Sequence, residues 1–195
     1  KSHISTGLVG AQWIMRGLTE NGRPDLALTI ATNRDYPSWG FMIENGATTI
    51  WELWNGNTAD PAMNSGNHVM LLGDLIVWYY EYLAGIRNEP SHAGFKQIVM
   101  KPYIIDGLDY VKASYRSVHG MLKSHWRNTA NTFKWDIVIP ANTTALVYIP
   151  ATNRQQVSES GRKAASSKGV KFVKMDGKYA IYQIGSGIYS FNVDF

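Results

Sequence analysis

The chain has 195 residues, enough for one large domain or two small ones. Of these residues 45% are apolar, 12% aromatic and 17% charged. The absence of cysteine excludes disulfides, thiolate metal sites and a cysteine nucleophile. The longest apolar stretch, residues 69–86, is interrupted by Asp74 and Glu81, so we expect no transmembrane helix. No two histidines form a ligand pair at helical spacing, and neither a metal nor a cofactor is expected.

The net charge of +4 is unevenly distributed along the chain. Residues 1–88 carry 5 basic and 8 acidic side chains, whereas residues 89–195 carry 14 basic and 7 acidic ones. The lysines of the second part stand singly along alternating patterns, which is typical of a solvated strand face. We therefore expect neither nucleic acid nor a membrane as a partner.

The first part of the chain has helical patterns. Apolar spacing predicts helices over residues 8–18, from Pro24 to Ile30, and from Pro37 to Ile43. A fourth, long helix is predicted over 67–83, ending at Gly85. It is apolar on nearly all sides and so needs partners over most of its surface. Trp13 and Trp78 are expected to pack in helix interfaces.

The second part changes to a period of two. Alternation over 111–115, 133–139 and 145–149 predicts strands, and Asp176-Gly177 predicts a hairpin. Closely spaced strands of this kind favour an antiparallel sandwich of about eight strands. Pro90 and Gly94 interrupt both patterns, so we predict a helical domain over 1–88 and a β-sandwich domain over 89–195. Residues 158–169 are predicted to form a mobile loop.

The segment GATTIWELWNG, residues 46–56, places the single carboxylate of Glu52 between Trp51 and Trp54. Tryptophan faces bind the C–H groups of sugars, and a carboxylate beside them can act as a nucleophile or a general base. His68 and Asn67 could supply further polar contacts. Aromatic neighbours can desolvate the acid and raise its pKa. The alternative interpretation is a surface or capping acid near buried tryptophans.

Three blocks of sequence then resemble a known family. They are HISTGLVGAQWIMRGLTENGRPDLALTI, DYPSWGFMIENGATTIWELWNG and MNSGNHVMLLGDLIVWYYEYLAGI, which together span roughly residues 3–86. In this order they resemble the C-terminal end of the catalytic barrel of α-L-rhamnosidases, glycoside hydrolase family 78. The following strands are similar, less distinctively, to the β-domain after that barrel. The fold class implied is α + β in two domains, the last helices of an (α/α)6 barrel followed by an antiparallel β-sandwich.

The resemblance implies hydrolysis of terminal α-L-rhamnose with inversion. Glu52 matches the general base and His68, with Asn67 before it, matches a histidine that contacts the sugar. Trp51 and Trp54 would shape the pocket or support the base. The implied partners are a rhamnose-containing glycan or glycoside and the N-terminal remainder of the same polypeptide. The family also suggests a bacterial, secreted or periplasmic origin.

The family's general acid lies in earlier barrel helices, which are not in these 195 residues. We therefore expect a fragment that is inactive alone. The alternatives are a carbohydrate-binding module, a structural accessory domain, or an (α/α)6 hydrolase for another sugar. A binding module would use aromatic rings on the sandwich, with these candidates: Tyr148, Tyr179, Tyr182 and Tyr189. Asp60 and nearby asparagines could offer oxygen ligands to calcium, but a polar loop is the favoured interpretation.

Overall fold

A computed structural model describes residues 3–195 and separates the chain into two compact units. The first ends at Tyr79 and contains short helices, and the second, Tyr80–Phe195, contains two β-sheets. This division lies earlier in the chain than the predicted domain boundary between residues 88 and 89, which stays a prediction. Within residues 3–195, no helix is long and apolar enough to cross a membrane.

The α-helices of the first unit are short. They are α1 (Leu8–Ala11), α2 (Ile14–Glu20), α3 (Pro24–Thr32), α4 (Trp39–Glu44) and α5 (Leu75–Trp78). The prediction of one helix over 8–18 is wrong because the chain turns at Gln12-Trp13, where the Trp13 N–H donates to Gly10 O. Trp13 is 61% exposed, so its predicted burial is wrong as well. The guanidinium of Arg16 lies 4.7 Å above its ring. The burial of Trp78 is confirmed.

The predicted long helix over 67–83 is also wrong. The chain forms a 3-10 turn at Val69–Leu72, breaks at Gly73, continues as α5, and ends in a π-helical turn at Tyr79–Leu83. Gly73 has φ 59° and ψ −134°, and a Cβ there would lie 2.0 Å from the carbonyl oxygen of Ala11. Glycine permits this close approach of two backbone segments. The break brings the N–H of Asp74 to the same carbonyl, at 3.3 Å.

The second unit contains eleven strands rather than about eight. Their bounds are β1 (Ile86–Asn88), β2 (Gln97–Met100), β3 (Tyr110–Ser117), β4 (Gly120–Asn128), β5 (Thr132–Ile139), β6 (Thr144–Pro150), β7 (Val157–Glu159), β8 (Arg162–Lys163), β9 (Val170–Asp176), β10 (Tyr179–Ile184) and β11 (Gly187–Asp194). One sheet has the order β1-β2-β6-β10-β9 and the other β3-β4-β5-β11-β7-β8. Every pairing is antiparallel except β2 with β6.

The predicted strand alternation is confirmed where the core is densest. Phe133, Trp135, Ile137 and Ile139 of β5 are buried and pack with residues of both sheets, as expected for a sandwich. The hairpin at Asp176-Gly177 is confirmed between β9 and β10. The loop predicted over 158–169 is wrong, because β8 and a 3-10 turn at Ala164–Ser166 fold within it.

Candidate functional site

Two segments of the first unit lie side by side and bring the predicted site residues together. The N–H of Glu52 donates to Ser65 O at 3.0 Å, and the N–H of His68 donates to Ile50 O at 2.6 Å. In return, the N–H of Ser65 donates to Glu52 Oε2 at 2.7 Å. These bonds join residues that are 13 to 18 positions apart in sequence. Glu52 and His68 therefore meet at one end of a short, hydrogen-bonded pair of loops.

The carboxylate of Glu52 has polar surroundings in the structure, although tryptophans flank it in the sequence. Its side chain is 32% exposed, and Oε2 lies 3.6 Å from His68 Nδ1. The Ser65 N–H holds the pKa of Glu52 below its usual value, because its hydrogen bond outweighs the opposing effect of partial burial, and His68 lowers the pKa further. The expectation that the aromatic residues raise this pKa is therefore wrong. The donated hydrogen bond favours the ionised carboxylate more than burial disfavours it.

Ser65 is the residue that the sequence interpretation missed. Its Oγ accepts from the N–H of Asn67 at 3.0 Å and lies 3.1 Å from Asn67 O, to which it can donate. The side chain of Asn67 in turn accepts from Thr49 Oγ1 at 2.9 Å. Asn67 therefore connects the two loops. The string SGNH, residues 65–68, contained the signal, because serine often bonds to the backbone two residues later.

The tryptophans lie in the core that supports this loop. Trp51 is only 9% exposed and packs with Ala11, Met42 and Leu71. Gly56 lies against its ring, where a Cβ would be 2.5 Å from Trp51 Cγ.

Trp54 is half-buried and acts through its indole N–H. That group donates to Thr6 O at 2.9 Å, and the ring meets Trp39 edge to face at 5.5 Å. Trp39 is itself buried, as expected of a core residue, and donates to Leu71 O. These contacts fix the turn WNG that follows Glu52.

A cavity of about 490 Å³ lies beside this loop in the first unit. Its lining includes Trp39, Ile50, Leu72 and Tyr79, whereas Glu52 and His68 lie outside it. The cavity wall is largely apolar and contains no carboxylate, so the described residues do not place the predicted base within it.

Metal ligation receives no support from the side chains of residues 3–195. They contain no group of three histidine, aspartate or glutamate residues arranged to hold a metal ion. Asp60, the calcium candidate, uses Oδ1 to accept from the N–H of Ala62 and its carbonyl to accept from Asn64. Those bonds close a polar turn, which is the interpretation favoured from the sequence.

Comparisons with known proteins agree with this architecture. A model for the bacterial α-L-rhamnosidase 6 hairpin glycosidase domain matches residues 1–83, and one for the bacterial α-L-rhamnosidase C-terminal domain matches residues 85–164. An α-L-rhamnosidase of Streptomyces avermitilis is 33% identical over 98% of the chain, which covers 18% of that relative.

Two solved structures are similar throughout the chain. The α-L-rhamnosidase of Streptomyces avermitilis, complexed with L-rhamnose, has a TM-score of 0.85 and 32% identity over 98% of the chain, and 18% of its own length is covered. The α-L-rhamnosidase from Dictyoglumus thermophilum has a TM-score of 0.84 and 33% identity over 100% of the chain, and 21% of its length is covered.

The two matched domains, a 6 hairpin glycosidase domain followed by a C-terminal domain, are in the order in which the chain forms its helices and its β-sheets. The chain belongs to the bacterial α-L-rhamnosidase family, as the two domain models and these relatives show. It spans about a fifth of the length of the relatives that it matches.

The sandwich offers fewer aromatic groups to a sugar than the binding-module alternative requires. Tyr182 is fully buried and Tyr189 is 8% exposed, and both pack in the core between the sheets. Tyr148 and Tyr179 are half-buried, and the ammonium of Lys101 lies about 5 Å from both rings, 4.9 and 5.3 Å away. A four-ring platform is therefore not formed.

Proposed function

We propose that this chain supplies the general base of a glycoside hydrolase that removes terminal α-L-rhamnose with inversion. The base is Glu52. The observation that carries the proposal is its hydrogen bond from the Ser65 N–H, which keeps the carboxylate ionised and oriented while its side chain remains partly exposed. An ionised, accessible and fixed carboxylate is what a general base requires.

The reaction balances as a single displacement. Glu52 takes a proton from water, and the water oxygen forms a bond to the anomeric carbon. The bond from that carbon to the glycosidic oxygen breaks on the opposite face, and its electron pair goes to the leaving oxygen. A general acid protonates that oxygen. The acid must lie on the other side of the sugar, with the two carboxyl groups about 6.5–9.5 Å apart.

The acid and most of the sugar site belong, in this proposal, to the N-terminal remainder of the same polypeptide. The described helices would then close an (α/α)6 barrel, and the isolated chain would be inactive. Loss of general acid catalysis alone removes a factor of about 10²–10⁴. Glu52 lies outside the cavity of the first unit. Other parts of the polypeptide would therefore have to enclose the substrate beside the base, in agreement with this proposal.

The remaining predicted residues receive distinct roles. His68 lies beside the carboxylate. In this proposal it contacts a hydroxyl of the sugar and orients the base. Asn67 holds the two loops together through Thr49. Trp51 and Trp54 support the loop from the core. In this proposal the half-buried Trp54 also forms part of the sugar-binding wall.

The test is release of L-rhamnose from an aryl α-L-rhamnoside by the complete polypeptide. Glu52→Gln should lower kcat by about 10²-fold or more, with little change in thermal stability. Glu44→Gln is a matched control, because Glu44 is an exposed acid paired with Arg34 in the same unit, and it should keep the parent activity. Near-parent activity of Glu52→Gln would contradict the assignment of the base. Inactivity of the parent on rhamnosides would contradict the choice of sugar. Activity of the isolated 195 residues would contradict the missing acid.

A further inference from the structure

The two oxygens of the Glu52 carboxylate have different environments. Oε2 accepts from the N–H of Ser65 at 2.7 Å and also faces His68 Nδ1 at 3.6 Å. The hydrogen bonds found among residues 3–195 place no donor on Oε1. The side chain is about one-third exposed, so a water molecule can reach the second oxygen. One oxygen is therefore fixed, and the other is available for chemistry.

The donor that fixes Oε2 is itself held in place by a side chain. The hydroxyl of Ser65 bonds to both the N–H and the carbonyl of Asn67, at 3.0 and 3.1 Å. This closes a tight turn of the type that serine commonly forms with the backbone. The backbone pair between Glu52 N–H and Ser65 O, at 3.0 Å, sets the register of the two loops. The hydroxyl therefore influences the direction in which the Ser65 N–H points.

We propose that Ser65 is a positioning residue, whose turn aims its backbone N–H at Oε2 of Glu52 so that Oε1 accepts the proton of the attacking water. The inference rests on the proposed function, in which Glu52 is the general base. It goes further by assigning the reactive oxygen and by naming a residue that acts through the base without touching the sugar.

The hydrogen bond from Ser65 also sets the pH dependence of the proposed base. The titratable group that faces Glu52 is His68, which lies on the same loop as Ser65. The Ser65 N–H is the largest cause of the lowered pKa of Glu52, ahead of the imidazole. Weakening that hydrogen bond should therefore raise the pKa of the base. The acid limb of kcat/KM, which reports the ionisation of the base in the free enzyme, should then move to higher pH.

Three changes at Ser65 in the complete polypeptide separate its two contributions. Ser65→Ala removes the hydroxyl and leaves the N–H. Replacement of Ser65 by its α-hydroxy acid analogue makes the backbone link an ester, which keeps the hydroxyl and removes the N–H. Ser65→Thr keeps both groups, and the exposed position leaves room for the methyl group. The pH profile of kcat/KM on an aryl α-L-rhamnoside is measured for each, with a melting curve to confirm folding.

Ser38→Ala is the matched control. Ser38 is a buried serine of the same unit whose hydroxyl accepts from the N–H of Phe41 and caps α4. Its loss should lower the melting temperature and leave the acid limb where it is in the parent.

We expect the ester and Ser65→Ala to move the acid limb to higher pH and to lower kcat/KM on the plateau by about 10- to 100-fold, the cost of a small misplacement of a catalytic group. Ser65→Thr should restore both quantities. An unchanged acid limb in both the ester and Ser65→Ala, with Glu52→Gln inactive, would overturn the inference and leave the base assignment intact. An equal shift in Ser38→Ala would overturn it as well, because general loosening would then explain the effect. Activity of Glu52→Gln would instead contradict the proposed function itself.

Discussion

Replacing Arg16 with methionine is expected to make the segment around Gly73 open far more often than in the parent. The carboxylate of Asp74 is fully buried, and Arg16 Nε donates to its Oδ2 at 3.0 Å. The N–H of Arg16 donates to the same oxygen at 3.2 Å, while Oδ1 has no hydrogen-bond partner within residues 3–195. Methionine has a similar length and packing volume but cannot compensate the charge. The variant therefore leaves a buried carboxylate with a single backbone donor.

The magnitude follows from the burial of the two partners. Removing one partner of a fully buried ion pair costs about 3–5 kcal/mol. The side chain of Arg16 is 28% exposed, so water can approach, and the backbone N–H of residue 16 still donates. Both facts lower the expected cost to about 2–3 kcal/mol. At a factor of ten for each 1.4 kcal/mol, local opening should become about 30- to 150-fold more frequent.

Amide hydrogen exchange of the complete polypeptide measures this opening directly. The informative amides are those of Asp74, which donates to Ala11 O, and Trp78, which donates to Asp74 O. Adding Asp74→Asn to the Arg16 variant should recover much of the protection, because it removes the uncompensated charge. Arg23→Met is the matched control, since the Arg23–Asp25 pair is more than half exposed and should not affect these amides. Parent-like exchange in Arg16→Met, or no recovery in the double variant, would refute the reasoning.

Three further predictions concern stability. Gly73→Ala should lower the free energy of the local opening by about 3 kcal/mol or more and so accelerate exchange of the same amides. The added Cβ would meet the backbone carbonyl of Ala11, and residue 73 has a backbone conformation that residues with side chains rarely adopt. Parent-like exchange would contradict this prediction. Ser124→Ala should lower the free energy of unfolding, measured in urea, by about 2–4 kcal/mol, because the indole N–H of Trp135 and the buried carbonyl of Ala84 both lose their partner; an unchanged midpoint would contradict it. Burial raises the pKa of Tyr179 to about 12 from the usual 10.0, so its stabilising contribution is complete below about pH 10 and is lost between about pH 10 and 12. The free energy of unfolding, measured across that range, should fall less steeply with pH in Tyr179→Phe than in the parent.

The elements of the β-domain could be predicted because their signal is local. In β5 every second residue is apolar, and the buried face follows from that period. Asp176-Gly177 likewise marks the hairpin, although Asp176 ends β9 and the turn itself is formed by Gly177 and Lys178. The strand pairing could not be predicted in full, because the parallel contact of β2 with β6 depends on the path of the chain between them.

The helical unit was harder to predict because its breaks have distant causes. Residues 67–83 are apolar throughout, which favours a continuous helix. The break at Gly73 depends on Ala11 and on the pairing of Asp74 with Arg16, which are about 60 residues away in sequence. A glycine and an acid within the pattern were visible, but their partners were not. The same limit applies to Glu52, whose neighbours in sequence are indoles and whose contact in space is the N–H of Ser65.

That contact also explains why a backbone group suits this position better than a cation. An arginine or lysine bonded to Glu52 would favour the ionised form more strongly, but its positive charge would also reduce the ability of the carboxylate to attract a proton. A single N–H orients the group with a partial charge and leaves the net negative charge in place. His68, at 3.6 Å, lies far enough away to influence the carboxylate without a tight ion pair. The loop from Ser65 to His68 thus orients the proposed base and lowers its pKa without bonding a full positive charge to it.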